Sequence, residues 1–151
     1  FLVQQVEHMT GLQNFGVYMN KLLTIDAFFL NEDRHTHNIA VLMNGKGDYA
    51  YCPIFDHGAG LLSDTTMDYP LSGDTYALMD QVQAKTICSE FDEQLDLSEA
   101  LYRGNLKFHF TKKDVTELLA NAEGYPEEIR KRVEMILFAQ MRKYAYLFSK
   151  M

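Results

Sequence analysis

Apolar residues recur at helical spacing in the first thirty positions of the chain. The pattern breaks at Gly11, a residue type that commonly follows a helix C-terminus, and begins again after Asn14, a predicted N-cap. The apolar positions are Leu2, Val3, Val6 and Met9 in the first segment, and Phe15, Tyr18, Leu22, Leu23, Ile25, Phe29 and Leu30 in the second. The second stripe is wide, which predicts a deeply buried helix that ends near Asn31.

The period then changes from helical to strand-like. Two short apolar runs, residues 39–42 and 49–55, flank the turn composition of residues 44–48. Two such runs around a glycine-containing turn are typical of a β hairpin. Pro53 lies in the second run and predicts that the strand ends there or forms an edge.

Helical patterns return after a loop that is rich in Gly, Ser, Asp and Thr at residues 58–73. The predicted helices cover residues 75–82, 90–102, 111–121 and 126–148. Thr111 with Asp114 resembles a capping arrangement, and Pro126 fits a first helical turn. The pattern therefore predicts one domain over residues 1–151 that is mainly α with a small β hairpin (α+β).

Composition and charge exclude several classes of protein. The chain is 47% hydrophobic, which supports a folded core, and its formal net charge is −7 with no basic stripe. We therefore expect neither a nucleic-acid binder nor a binder of anionic membrane surfaces. No apolar run approaches the roughly 20 residues that span a bilayer. Two isolated cysteines, Cys52 and Cys88, favour free thiols and a reducing, cytoplasmic setting.

The candidate chemistry lies in residues 31–38 and 56–58, on either side of the predicted hairpin. Asp33 precedes Asn38 by five residues, and Asp56 stands two residues before Gly58. Protein kinases place a catalytic aspartate five residues before a metal-binding asparagine, and a second metal-binding aspartate before a glycine. Because the hairpin returns the chain, Asp56 is expected to approach Asn38. Their oxygen atoms are hard ligands suited to magnesium.

The segments Asn31-Glu32-Asp33-Arg34-His35 through Asn38-Ile39, and Pro53-Ile54-Phe55-Asp56, resemble the catalytic and metal-binding segments of the bacterial HipA-like serine/threonine kinases. The resemblance implies a protein-kinase-like C-terminal lobe that uses ATP and Mg²⁺ and phosphorylates a protein. It implies that Asp33 is the catalytic base, that His35 orients the loop, and that Asn38 and Asp56 are the magnesium ligands. It also implies an antitoxin-type protein partner for some members of the family.

No residue of the nucleotide-binding half of a kinase is found. A strand lysine in a Val-Ala-Ile-Lys-like context does not precede the loop, and Gly45-Lys46-Gly47 is too short and lies inside the hairpin. The chain opens at Phe1, directly into a helical pattern. We therefore expect a fragment of a longer protein that lacks the N-terminal lobe and is inactive alone.

Three other functions remain open. The Asp-Arg-His-x-x-Asn string also resembles phosphatidylinositol kinases, so a lipid kinase is an alternative. A pseudokinase that serves as a binding module keeps the same fold. The third is a metal-dependent hydrolase, in which His35, His37 and His57 with Asp33 bind zinc or manganese, although zinc-type spacings are absent.

Four residues near the motif carry weaker expectations. Asp26, inside the buried helix, is expected to anchor the loop rather than act in catalysis. Arg34 has two open roles, since a guanidinium can hold a loop carboxylate or a phosphate. His37 is expected to be exposed, and His57 to pack or bond locally.

Overall fold

The chain folds into six α-helices and one two-stranded hairpin within the part described by the computed structural model, residues 1–148. The helices are α1 (Leu2–Thr10), α2 (Phe15–Phe28), α3 (Thr75–Gln81), α4 (Phe91–Tyr102), α5 (Lys112–Ala120) and α6 (Glu127–Lys143), and the strands are β1 (Val41–Met43) and β2 (Tyr49–Tyr51). Short 3₁₀ turns cover Thr36–Asn38 and Ala145–Leu147. About half of the chain is helical, which confirms the prediction of a mainly α protein with a small antiparallel sheet.

The hairpin is shorter than its apolar runs. Its strands pair Val41 with Tyr51 and Met43 with Tyr49, and β2 ends two residues before Pro53. Proline has no N–H to donate to a ladder, so pairing stops as the sequence predicts. None of the helices in the described part of the chain is long and apolar enough to cross a membrane.

The start of α2 differs from the prediction for Asn14. Asn14 precedes the helix, but its backbone is left-handed (φ 62°) and its side chain makes no capping hydrogen bond. A side-chain cap requires extended backbone at this position, which turns the side chain toward the first N–H groups. The Glu7 carboxylate takes the role instead and accepts from the N–H of Phe15 at 2.9 Å.

The last helix is also shorter than its apolar pattern. It begins after Pro126, which is the flanking residue and not part of the first turn, and it ends at Lys143 instead of Phe148. The chain leaves the helical path at Tyr144 (φ −105°, ψ 37°), and a 3₁₀ turn follows that buries Leu147. Phe148 is extended and pairs with Phe108 in an isolated parallel bridge.

Helix α2 forms the centre of the core, as its wide stripe predicts. Its C-terminal residue Phe28 is fully buried among four other phenylalanines, and the contacting ring centroids are 4.7–6.3 Å apart. The amide of Gln140, on α6, donates to the carbonyls of Ala27 and Phe28 at 3.0 and 2.9 Å. These bonds satisfy carbonyls that the helix end leaves without partners, so they fix where α2 ends.

The loop of residues 58–73 is fixed against the core at both ends. Near its start, the Leu61 N–H donates to the Phe29 carbonyl at 2.8 Å. Gly60 passes so close that a Cβ there would lie 2.9 Å from the same carbonyl oxygen. Near its end, the buried guanidinium of Arg132 donates to the Tyr69 carbonyl at 2.5 Å. The loop is therefore a fixed wall beside the end of α2.

Candidate functional site

One buried arginine connects the segments that carry the predicted site residues. Arg34 is 1% exposed, and its guanidinium forms a two-point ion pair with Asp26 on α2, at 2.8 and 3.1 Å. Its Nη1 donates to the carbonyls of Asn38, at 3.0 Å, and Phe55, at 2.5 Å. Its Nη2 lies 3.3 Å from Nε2 of His57. The fork of five N–H groups lets one side chain hold the Asp26 carboxylate and two separate stretches of backbone.

Asn31 makes a second buried connection between the same segments. Its amide nitrogen donates to the Asp26 carboxylate at 3.0 Å and to the backbone carbonyl of Asp56 at 3.4 Å. Its side-chain oxygen accepts from the N–H of Asp33 at 3.2 Å. The end of α2, the loop with Asp33 and the segment with Asp56 are thus held together by Asp26, Asn31 and Arg34.

The loop between Asp33 and Asn38 closes on itself through a 3₁₀ turn that the sequence pattern does not predict. The Asn38 amide nitrogen donates to the Asp33 backbone carbonyl at 3.2 Å and lies 3.3 Å from Nε2 of His35. Nδ1 of His35 accepts from the N–H of His37 at 3.2 Å. A neutral imidazole accepts at one nitrogen only, so these two bonds need opposite tautomers. His35 therefore lies within hydrogen-bonding distance of both groups, but its neutral ring accepts from only one of them at a time.

The oxygen atoms expected to do chemistry have no hydrogen-bond partner within residues 1–148. Among the interactions of residues 1–148, none uses the side-chain oxygens of Asp33, Asn38 or Asp56. Asp33 and Asp56 are exposed, and Asp56 has a left-handed backbone (φ 63°). That conformation is strained for a residue with a side chain, and such strain concentrates at functional sites. The amide oxygen of Asn38 and the carboxylate of Asp56 are ligand types that suit Mg²⁺ arriving with a phosphate ligand.

A cleft of about 350 Å³ opens beside Asp33. Its lining consists of Glu32, Asp33, Gly58, Ala59, Ser63, Asp64 and Lys85. The loop aspartate and the glycine of the Asp56-x-Gly segment therefore face one space. Asn38 and Asp56 belong to the segments that border this cleft but are not among its lining residues.

Carboxylates dominate the electrostatics of the cleft. The Glu32 carboxylate accepts from the hydroxyl of Tyr69, and burial together with this carboxylate raises the pKa of Tyr69. The N–H of Met67 and the hydroxyl of Thr66 hold the pKa of Asp64 below its usual range, so Asp64 is ionised at neutral pH. With Asp33, three carboxyl groups face one lysine, which is an arrangement that attracts cations.

Lys85 is a site residue that the sequence analysis missed. It lies in the segment between α3 and α4, and the next residue, Thr86, donates its hydroxyl proton to the Arg34 carbonyl at 2.7 Å. This bond places the Lys85 segment over the loop with Asp33. No local pattern marks Lys85, because its position depends on a contact between segments far apart in sequence.

The structure also shows where Asp26, Arg34, His37 and His57 lie. Asp26 anchors the loop, as predicted, and Arg34 holds that carboxylate instead of facing the cleft. His37 is exposed, and His57 contacts Arg34. Across residues 1–148, no three His, Cys, Asp or Glu side chains come close enough together to bind one metal ion. The described residues therefore offer no ligand set for the zinc or manganese hydrolase.

Comparisons with known proteins add no relative. The chain matches no protein family, no curated protein and no solved structure.

Proposed function

We propose that this chain is the catalytic-loop lobe of an ATP-dependent phosphotransferase of the HipA-like serine/threonine kinase type. The observation that carries the proposal is the buried Asp26–Asn31–Arg34 connection. It holds the Asp33 loop, the Asn38 turn and the Asp56 segment against one another. Phosphoryl transfer in kinases draws its base and its two metal ligands from three such segments, which supports the proposal. The exposed carboxylates of Asp33 and Asp56 have no hydrogen-bond partner among residues 1–148, so their oxygens are accessible to a substrate or a cation.

Each residue has a separate role in this proposal. Asp33 accepts the proton of the acceptor hydroxyl as its oxygen bonds to the γ-phosphorus and ADP leaves. Asn38 and Asp56 hold Mg²⁺, which neutralises charge on the phosphates when it is bound. His35 acts as a positioning residue through its contact with the Asn38 amide. The acceptor is a serine or threonine of a cytoplasmic protein.

The other half of the nucleotide site is assigned to an N-terminal lobe of a longer parent protein. Phosphoryl transfer depends mainly on positioning and charge stabilisation, and kinases hold the nucleotide with a strand lysine and a glycine-rich loop. Residues 1–148 offer no candidate for either role. We therefore expect the 151-residue chain alone to bind Mg-ATP weakly and to transfer no phosphate.

Calorimetric titration of the full-length parent with Mg-ATP, paired with a transfer assay, tests the assignment. Asp33→Asn is expected to keep nucleotide affinity and lose transfer, because it removes the proton acceptor and little else. Asp56→Ala is expected to lose magnesium-dependent affinity. Asp80→Asn, an exposed carboxylate on α3, is the matched control and should change neither. Lost binding in Asp33→Asn with normal binding in Asp56→Ala would reverse the roles, and tight binding with turnover by the 151-residue chain would refute the two-lobe proposal.

A further inference from the structure

A second cavity, of about 440 Å³, lies directly beside the cleft that contains Asp33. It is enclosed by the loop of residues 58–73 and by the helices α5 and α6, and we call it the side groove. Ser63 lines both cavities, and Gly60 in the groove follows Gly58 and Ala59 in the cleft. One loop, held to α2 and α6 by hydrogen bonds, therefore forms the wall between the two spaces.

The side groove is apolar and open to solvent. Leu118 and Tyr125 on one side are 71% and 62% exposed, and Leu71 on the other side is 37% exposed. Its volume falls in the range of roughly 300–1,000 Å³ that is common for ligand sites. Contiguous exposed apolar surface of this kind marks an interaction site more often than chance exposure.

The charge of the groove is opposite to that of the whole chain. The net charge is −7, yet within residues 1–148 the only charged residues that line the groove are Arg130 and Arg132. Arg132 uses its guanidinium on the carbonyls of Tyr69 and Pro70, at 2.5 and 2.6 Å. Arg130 has one long contact, from Nη1 to the Leu119 carbonyl at 3.4 Å, and its buried Nε has no partner in the described part of the chain. The guanidinium has five N–H groups, so those not used on Leu119 can donate to a carboxylate that binds in the groove.

We propose that the side groove binds a segment of the phosphoacceptor polypeptide that carries a large apolar side chain next to an Asp or Glu. The apolar side chain fills the space beside Leu118, and the carboxylate accepts from Arg130. The same segment then runs past Ser63 and brings its hydroxyl into the cleft. This position of the hydroxyl rests on the proposed function, whereas binding in the groove does not.

A polypeptide fits the groove better than a lipid surface. Recognition of anionic headgroups uses clusters of about four to eight Lys or Arg. Of the two arginines that line the groove in residues 1–148, Arg132 donates to the Tyr69 and Pro70 carbonyls, so Arg130 has more N–H groups to offer a ligand. A peptide with one apolar side chain and one neighbouring carboxylate matches the leucines of the groove and this arginine.

Fluorescence anisotropy with the 151-residue chain, without nucleotide, tests the groove directly. The probes are fluorescein-labelled decapeptides with one serine, in which a Leu-Glu pair is moved through the positions on either side. We expect one register to bind. Changing its Leu to Ser should weaken binding about tenfold or more, since a buried leucine side chain is worth that much. Changing the Glu of this peptide to Gln should weaken its binding to the wild-type chain but not its binding to the Arg130→Gln variant.

Two leucine variants separate the groove from a general loss of folding. Leu118→Glu places a charge inside the groove at an exposed position and should weaken the best peptide about tenfold or more. Leu101→Glu, at a leucine on α4 that is 63% exposed and outside the groove, should bind as the wild type does. Equal behaviour of the two variants, or no register that exceeds a Gly-Ser peptide, would overturn the proposal.

Two further outcomes separate this inference from its alternatives. If sedimentation shows a dimer that Leu118→Glu dissociates and that peptides do not displace, the groove binds a second copy of the chain and the proposal is wrong. In the full-length parent, transfer to the best peptide should fall in Leu118→Glu. If peptide binding follows the predictions above and no phosphate is transferred, the proposed function fails while the groove assignment stands.

Discussion

Removing the Arg34 guanidinium tests the buried connection that organises the site. In Arg34→Met a side chain of similar length keeps the packing, but the Asp26 carboxylate, 1% exposed, loses two charge-assisted hydrogen bonds. Among the described residues, only the Asn31 amide still donates to this carboxylate. Breaking a buried pair in this way costs about 3–5 kcal/mol of unfolding free energy. The carbonyls of Asn38 and Phe55 lose donors as well, so we expect the upper half of that range.

Urea denaturation, monitored by circular dichroism, measures this loss of unfolding free energy and shows whether it comes from the unpaired Asp26 charge. The double variant Asp26→Leu/Arg34→Met removes both charges, so it should be more stable than the sum of the single changes predicts, by at least about 1 kcal/mol. The control is Lys131→Met, which breaks an exposed pair with Glu127 and should cost at most about 0.5 kcal/mol. A cost below about 1 kcal/mol for Arg34→Met, or strict additivity in the double variant, would show that the connection does not hold the site together.

Two further predictions concern the helical frame. Gly16→Ala should lower the unfolding free energy by about 1–3 kcal/mol in the same denaturation assay, because the new Cβ would lie 2.2 Å from Cδ1 of Tyr102. The control is Gly45→Ala, in open space, which should change it by no more than about 0.5 kcal/mol, and equal effects of the two variants would contradict this packing. Burial raises the pKa of Asp92, but hydrogen bonds, chiefly from Tyr144, outweigh it and leave the pKa below its usual range. The resulting stabilisation is present above the unfolded pKa of about 3.9 and is lost as the pH falls through the folded pKa. Between about pH 5 and 2 the wild type should therefore lose more unfolding free energy than Asp92→Asn. Identical losses in the two proteins would refute the assignment.

The sequence predicts the helices well because one buried face repeats every three or four residues along each of them. It fails where a distant group replaces a local one. The Glu7 carboxylate takes the capping role expected of Asn14, and contacts of Leu147 with the core end α6 before its apolar pattern ends. Local pattern carries no information about such partners. The capping box of Thr111 and Asp114 is local, and it forms as predicted.

The candidate site also has a part that follows from local sequence and a part that depends on distant contacts. The spacing of Asp33, Asn38 and Asp56 is visible in the sequence, because a loop and a hairpin are local structures. The role of Arg34 is not, since the choice between carboxylate and phosphate depends on whether Asp26 faces it from α2. Lys85 and the side groove depend on segments that meet only in the folded chain.

We propose that Asn38 and Asp56 hold one divalent cation and that Asp33 lies beside it as the catalytic base. Paramagnetic broadening by Mn²⁺, added with ATP to the ¹⁵N-labelled 151-residue chain, tests it even if binding is weak, because Mn²⁺ takes the same oxygen ligands as Mg²⁺. We predict that the amide signals of Asn38 and Asp56, and of Asp33 beside them, broaden together at the lowest Mn²⁺ concentration and that Asp56→Ala abolishes this. Broadening that begins elsewhere, for example around Asp96 on α4, or that persists in Asp56→Ala, would contradict it.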